Sequence, residues 1–202
     1  MSVTLKKGQG VSLSKMVRNL SKVRVGLGWQ ERSTRGDDFD LDASALICTD
    51  DAFGRSRFGA VVLSDSHFVF YGNLVAPNGS VRHSGDNLVG GDGANDDEVI
   101  LVDLNAVEPA VNRIVFVVSI YEAVQRRQSF GQVTNAFIRV VDDHGGSELV
   151  RYDLTENYAN ESAIIFGELV RKDGDWGFNA LGTGGKGDLA SIIGGYGVNV
   201  SS

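Results

Sequence analysis

The sequence contains little cysteine and no long hydrophobic run. Cys48 is the single cysteine among 202 residues, so no internal disulfide can form and a reducing compartment is the simplest interpretation. No apolar run approaches the roughly 18 residues that a membrane-spanning helix needs. The N-terminal segment lacks the continuous apolar region of a signal peptide. We therefore expect a cytoplasmic protein that does not insert into a membrane.

Basic charge is also scarce. The chain has 19 basic and 26 acidic residues, which gives a net charge of −7 at pH 7. Nucleic acids and anionic membranes attract basic surfaces, so this balance argues against both as ligands and suits a protein that binds cations. The three histidines, His67, His83 and His144, do not have the spacing of a zinc site. Each is expected to be a surface residue or a hydrogen-bonded structural residue.

Glycine, in contrast, is abundant, and short apolar runs recur between turn signals along the whole chain. The 26 glycines are scattered, which favours many tight turns and an all-β fold. A short helix is predicted over residues 188–196, with Asp188 as its N-cap. We predict a single-domain β-sandwich over residues 1–202, with a few short helices, one of them near the C-terminus. The predicted strands are residues 39–48, 67–75, 114–122, 136–142, 148–154, 163–171 and 176–181.

The densest chemical feature is the segment SGDNLVGGDGANDDE at residues 84–98, which holds five carboxylates and two asparagines. Further carboxylates, Asp40 and Asp42, alternate with Phe39 and Leu41, which places both on one face of a predicted strand. Carboxylates crowded in this way repel each other and raise each other's pKa. A bound divalent cation reverses that repulsion, and an all-oxygen ligand set favours calcium first and magnesium second.

Two other patterns carry less weight. The segment GTGGKG at residues 182–187 fits G-x-G-x-x-G, but no βαβ unit is predicted around it, so we expect a turn that leads into a helix. In an EF-hand loop that began at Asp86, Leu88 would stand at position 3, where an oxygen ligand is required, so any calcium site has to be assembled from separate loops. Cys48 ends an apolar run and is expected to be a buried packing residue.

Several short motifs, taken together, carry a resemblance to a known family. VGLGW, FDLDAS, LSD, HSGDN and DDEVI begin at residues 25, 39, 63, 83 and 96, and are followed by VDL, FGQVTNAFIRV and FGELVR. In this order they resemble the TerD family of bacterial tellurium-resistance and stress-response proteins, essentially from end to end. The acidic segment is one residue longer than the usual family pattern, and this affects the assignment of Asp92.

The resemblance implies a bacterial cytoplasmic β-sandwich that binds one or two Ca²⁺ ions through its acidic loops. It also implies partners among other proteins of the tellurium-resistance system, some of them membrane-associated. Carried over motif by motif, the implied metal ligands are Asp40, Asp42, Asp65, Asp86, Asn87, Asp92, Asp96, Asp97 and Glu98.

Three functional hypotheses remain open at this point. The leading one is a calcium-binding protein without enzymatic activity, in which the ion orders a surface for partners. The second is a metal-dependent hydrolase or phosphoryl-transfer enzyme that uses the same carboxylates. The third, direct capture of tellurite by Cys48, requires an exposed thiolate.

Overall fold

The fold is built from two packed β-sheets. The computed structural model describes residues 2–30, 36, 38–88, 95–154, 158, 160–185 and 188–199. Their strands, in chain order, are β1 Val3–Thr4, β2 Gly10–Ser12, β3 Lys22–Gly28, β4 Leu41–Asp50, β5 Ala60–Val62, β6 Phe68–Val69, β7 Val81–His83, β8 Glu98–Asp103, β9 Arg113–Ile120, β10 Phe137–Asp142, β11 Glu148–Asp153, β12 Ala163–Lys172 and β13 Asp175–Gly185.

The helices described are short and lie between strands or after the last one. They are α1 Leu13–Met16, α2 Ala123–Arg126 and α3 Leu189–Gly194, together with 3₁₀ helices at Asp65–His67 and Phe130–Gln132. Within the described ranges, no helix has the length and apolar character needed to cross a bilayer.

The two sheets differ in how their strands are connected. The first sheet has the order β1-β11-β10-β3-β8-β7, and the second has the order β2-β13-β12-β9-β4-β5, with β6 also paired to β4. All pairs of these strands are antiparallel except β1 with β11. β7 and β8 belong to one sheet and β4 to the other, and β4 lies in contact with β8.

Alternation along β4 shows how the sequence forms two layers of core. Leu41, Ala43, Ala45 and Ile47 belong to the cluster between the two sheets. Leu46 and Cys48 point the opposite way and belong to a second cluster, which also contains Ile192, Ile193 and Tyr196 from α3 and the residues after it. Asp42 lies on this outer side of β4 because side chains alternate along a strand. The C-terminal helix therefore covers part of the outer face of the second sheet.

The predicted all-β sandwich with a helix near the C-terminus is confirmed, with two local corrections. The run at residues 67–75 forms only the two-residue strand β6, because the chain turns at Tyr71 and Gly72 and pairs Phe70 with Asn73. The glycines at residues 182–185 were predicted as a turn, but they extend β13 and pair with β12. Glycine's lack of a side chain lowers its strand propensity, and the pairing partner overrides that preference here.

The N-cap of α3 offers a direct test of how this helix is held. Asp188 Oδ1 accepts hydrogen bonds from the Ser191 amide at 3.1 Å and from the Ser191 hydroxyl at 2.9 Å. Replacing Asp188 with Ala should lower the free energy of unfolding by about 1 kcal/mol, whereas Asp188→Asn, which keeps a capping oxygen, should cost much less. Urea unfolding of the three proteins checks this. Equal losses in both variants would show that the cap contributes nothing.

Candidate metal centre

Three carboxylates converge where β4 begins. Asp42 is the second residue of β4, Asp40 precedes the strand, and Asp86 lies between β7 and β8. One oxygen from each carboxylate lies within 4.8 Å of the other two. Asp40 and Asp42 are buried, with 6% and 5% of their surface exposed, whereas Asp86 is exposed. The structure thus brings together the two aspartates that alternate along β4 and one from the acidic segment.

The environment of the two buried aspartates disfavours their negative charge. Burial, followed by the charges of Glu98, Asp40 and Asp86, raises the pKa of Asp42 to about 8. Burial and the charge of Asp86 raise the pKa of Asp40 to about 6, against an opposing effect of Arg126. The guanidinium of Arg126 lies 3.9 Å from Asp40 Oδ2 and is the nearest cation to that carboxylate in the described part of the chain. The charge of Arg126 therefore does not cancel the rise in the pKa of Asp40 that burial and the neighbouring carboxylates cause.

One oxygen in this cluster has no partner. Asp40 Oδ1 is buried and makes no hydrogen bond to any residue that the structure describes. Buried polar atoms in folded proteins are nearly always hydrogen-bonded, and an unsatisfied one costs free energy. A divalent cation at this point would satisfy the atom and would neutralise the repulsion among the three carboxylates. The residues present therefore fit a hard, oxygen-ligated metal ion.

Glu98 is close to the cluster but is engaged differently. It is the first residue of β8 and is fully buried. Its Oε2 accepts a hydrogen bond from the Ala43 amide at 2.7 Å, and its Oε1 accepts one from the Asn87 amide at 3.2 Å. Because Ala43 follows Asp42 and Asn87 follows Asp86, this one carboxylate holds the two segments that carry those aspartates.

His83 completes the contacts of Ala43. Its Nε2 lies 3.0 Å from the Ala43 carbonyl oxygen, and its Nδ1 accepts a hydrogen bond from the Gly85 amide at 3.1 Å. On this side β4 pairs with β6 at Ala45 and Leu46, and no strand in the described part of the chain reaches Ala43 from there. The side chains of His83 and Glu98 therefore replace a neighbouring strand for both polar groups of Ala43.

The remaining acidic residues at 96 and 97 have protein partners of their own. Asp97 Oδ2 accepts a hydrogen bond from the Trp29 amide at 2.9 Å. Asp96 Oδ1 pairs with Arg139 Nε at 2.7 Å, and it lies against Gly26, where a Cβ atom would come within 2.2 Å of the Asp96 carboxyl carbon. These two carboxylates thus fasten β3 and β10 to the start of β8.

The structure places two other predicted ligands away from this group or beyond what it describes. Asp65 begins the 3₁₀ helix Asp65–His67, and its Oδ1 accepts a hydrogen bond from the Asn199 amide at 2.9 Å. It is not among the three carboxylates that converge. Asp92 lies outside the described residues. The backbone of Asn87 is bound to Glu98, and its side-chain amide lies 3.5 Å from the Asp97 carbonyl oxygen.

Sequence reasoning did not single out the residues that surround the cluster. Arg126 and Tyr121 follow β9, and the pairing of Leu41 with Ile120 brings them beside Asp40. Burial, then the charge of Asp42, raises the pKa of Tyr71, which shows that this ring is also near the cluster. No linear spacing relates these residues to the aspartates. Only the register of β4 against β9 could have identified them.

Cys48 does not have the properties that tellurite capture requires. The thiol is fully buried, and burial raises its pKa to about 12. The reactive form of cysteine is the exposed thiolate. The side chain instead packs with Leu46 and Tyr196 in the outer cluster, as the sequence predicted for a buried packing residue.

Comparison with known proteins identifies the family. The model of the TerD domain family matches residues 1–196. The chain belongs to the TerD family. It is 51% identical over 201 residues to tellurium resistance protein TerD of Serratia marcescens, covering 100% of both chains. It is 47% identical over 201 residues to general stress protein 16U of Bacillus subtilis (strain 168), covering 99% of this chain and 100% of that one.

A solved structure agrees on the fold of this TerD-family chain. It is a homologue of telluride resistance protein (TerD) from Streptomyces coelicolor A3(2), with a TM-score of 0.68 and 20% sequence identity. The match covers 87% of this chain and 96% of that one. The β-sandwich is therefore shared with this solved structure.

The raised pKa values of Asp40 and Asp42 lead to a prediction for the metal-free protein. Their folded-state pKa values, about 6 and about 8, lie above the value of 3.8 for a free aspartate. The folded state therefore holds protons that the unfolded chain has released. The stability that these two groups contribute is fully present below about pH 4. As the pH rises to about 8, the free energy of unfolding should fall by on the order of a few kcal/mol.

The change Asp42→Asn isolates this effect, because Asn cannot become charged. In chelator-treated buffer the variant should be more stable than the wild type at pH 8, and the difference should shrink towards pH 5. Urea unfolding at several pH values measures the difference directly, without the contribution of other titrating groups. A difference independent of pH would show that Asp42 is not the source of the strain.

Proposed function

We propose that this chain is a calcium-binding stress-response protein of the tellurium-resistance type. Asp40, Asp42 and Asp86 hold the ion, and the loaded site orders an interaction surface. The observation that carries the proposal is the unpartnered, buried Asp40 Oδ1 inside a group of three converging carboxylates. Membership of the TerD family supports the physiological part, because relatives are named for tellurium resistance and general stress.

Calcium is the ion that best fits this ligand set. The three oxygens lie within 4.8 Å of one another. At that upper limit the oxygens lie about 2.8 Å from a common centre, so a small side-chain movement brings them to the 2.3–2.6 Å of calcium coordination, whereas magnesium requires about 2.0–2.1 Å and keeps its waters. Backbone carbonyls and water supply the rest of the six to eight oxygens that calcium takes. We assign no direct metal contact to Asp96 and Asp97, since each already has a partner in the protein.

The proposed interaction surface surrounds the ion. Leu88 and Tyr121 line the same open cavity as Asp40, and they are 60% and 40% exposed. Tyr71, at 42% exposed, packs edge-on against Tyr121 with ring centroids 6.5 Å apart. Exposed aromatic and apolar side chains grouped in this way are typical of protein-binding surfaces. The partners we propose are other proteins of the tellurium-resistance system, some of them membrane-associated, met in the cytoplasm.

An enzyme that uses the same carboxylates has one observation in its favour. Arg126 lines the cavity beside Asp40, and a guanidinium next to a metal-binding carboxylate is an arrangement suited to phosphoryl transfer. We propose a binding protein instead, and the assay is simple. Turnover of p-nitrophenyl phosphate with Ca²⁺, Mg²⁺ or Mn²⁺ that disappears in Arg126→Met would replace the present proposal with a hydrolase.

Calcium should stabilise the fold, because the ion binds only where the three carboxylates converge. At a calcium concentration a hundredfold above Kd the gain is about 2.7 kcal/mol. For a domain of this size that corresponds to a rise in melting temperature of roughly 5–10 °C. Thermal melts with calcium, with magnesium and with chelator measure it. The calcium assignment fails if magnesium at the same concentration gives an equal rise.

Two matched substitutions separate the convergent site from the other predicted ligands. Asp86→Asn removes a charged, exposed member of the cluster and should weaken calcium binding by roughly tenfold or more, because affinity follows ligand charge. Asp65→Asn is the control, since its carboxylate bonds to Asn199 and lies outside the cluster. Calorimetric titration should find wild-type affinity for it. Equal weakening in both variants would place the ion elsewhere.

The physiological proposal can be tested in a tellurite-resistant host that has lost its own copy of the gene. The wild-type chain and Asp65→Asn should restore growth on tellurite, whereas Asp86→Asn should not, at equal protein levels on an immunoblot. Full restoration of growth by Asp86→Asn would contradict the proposal, because resistance would then not depend on calcium binding at this site.

A further inference from the structure

The contacts of Ala43 link the candidate calcium site to residues that need not touch the ion. Glu98 accepts from the Ala43 amide, and His83 Nε2 lies 3.0 Å from the Ala43 carbonyl oxygen. Both side chains are fully buried. They come from β7 and β8 of the first sheet and meet β4 of the second. The amide and the carbonyl of Ala43, the residue after Asp42, are thus both held by these two side chains.

His83 is not available as a metal ligand in this arrangement. Its Nδ1 accepts a hydrogen bond from the Gly85 amide at 3.1 Å, so the proton of the neutral ring is on Nε2. Nε2–H then donates to the Ala43 carbonyl, and it also lies 3.4 Å from Glu98 Oε2. A ring nitrogen binds metal only through a free lone pair. Any effect of His83 on calcium binding must therefore act through other residues.

Glu98 connects the two halves of the cluster. One oxygen is bonded to the amide after Asp42 and the other to the amide after Asp86. Neither bond involves an ion, and together they hold two segments whose aspartates repel each other. The two bonds therefore favour the arrangement in which Asp42 and Asp86 lie within reach of a common ion.

We propose that His83 and Glu98 form a clamp that positions Asp42 and Asp86 for calcium, so that neither residue needs to ligate the ion. This inference rests on the proposed calcium site. The clamp keeps the start of β4 in place against the carboxylate repulsion, and calcium then binds a site that is already assembled. A ligand that binds a preformed site does not have to supply the free energy of ordering it.

The histidine is the better residue to vary, because Glu98 also carries charge. His83→Ala removes the donor to the Ala43 carbonyl. His83→Gln keeps a side-chain amide that can reach the same oxygen. His67→Ala is the control, since His67 is bonded to Ser64 and Glu108 instead. Loss of residues that orient metal ligands typically costs 10–100-fold in affinity. We expect that loss for His83→Ala, recovery of most of it by His83→Gln, and wild-type affinity for His67→Ala.

Calcium affinity is measured by calorimetric titration of the full chain, well below the melting temperature of every variant. The second measurement is hydrogen exchange at the amides of Ala43 and Asn87 in chelator. Both amides should be protected in the calcium-free wild type, and the Ala43 amide should exchange faster in His83→Ala. A merely structural role for His83 would lower the melting temperature and leave calcium affinity unchanged.

The possible failures can be told apart. If the wild type binds calcium and His83→Ala binds it equally well, the clamp is overturned and the calcium site stands. If the wild type does not bind calcium, the proposed function itself falls. If His83→Ala does not fold, the exchange measurement decides, because rapid exchange at Ala43 in the calcium-free wild type also overturns the clamp.

Discussion

The arrangement around this site depends on the burial of Asp40 and Asp42 side by side at the start of β4. Burial and the charges of neighbouring carboxylates raise both pKa values, and Asp40 Oδ1 has no hydrogen-bond partner among the described residues to compensate. A solvent-exposed acidic loop would avoid this cost by separating its charges in water. The fold instead fixes the two carboxylates on a buried strand, and such an arrangement is favourable when a cation shares them.

Neighbouring acidic residues show how the same chemistry is used structurally. Asp96, Asp97 and Glu98 are consecutive in the sequence, and each is engaged by the protein: Arg139 for the first, a backbone amide for the second and two amides for the third. Carboxylates engaged in this way connect the elements around them. The distinction between binding and structural carboxylates thus depends on available partners, which composition does not reveal.

The sequence was informative where a local rule decides the outcome. Alternation of Asp40 and Asp42 with apolar residues predicted their common face, and the turn-separated apolar runs predicted the sandwich. The position of Asp65 was not predictable, because its partner Asn199 is distant in the chain. Arg126 was missed for a related reason. Its place beside Asp40 follows from the pairing of β9 with β4, which is a tertiary property.

The position of the site follows from an incomplete β-sheet. β6 pairs with β4 only at Ala45 and Leu46, so the polar groups of Ala43 need other partners. His83 and Glu98 supply those partners from the opposite sheet, which brings the segment after β7, and with it Asp86, to the start of β4. A single longer strand along this edge of β4 would have satisfied the polar groups of Ala43 through its backbone, without the side chains of His83 and Glu98. The gap in the sheet is therefore what allows the three carboxylates to meet.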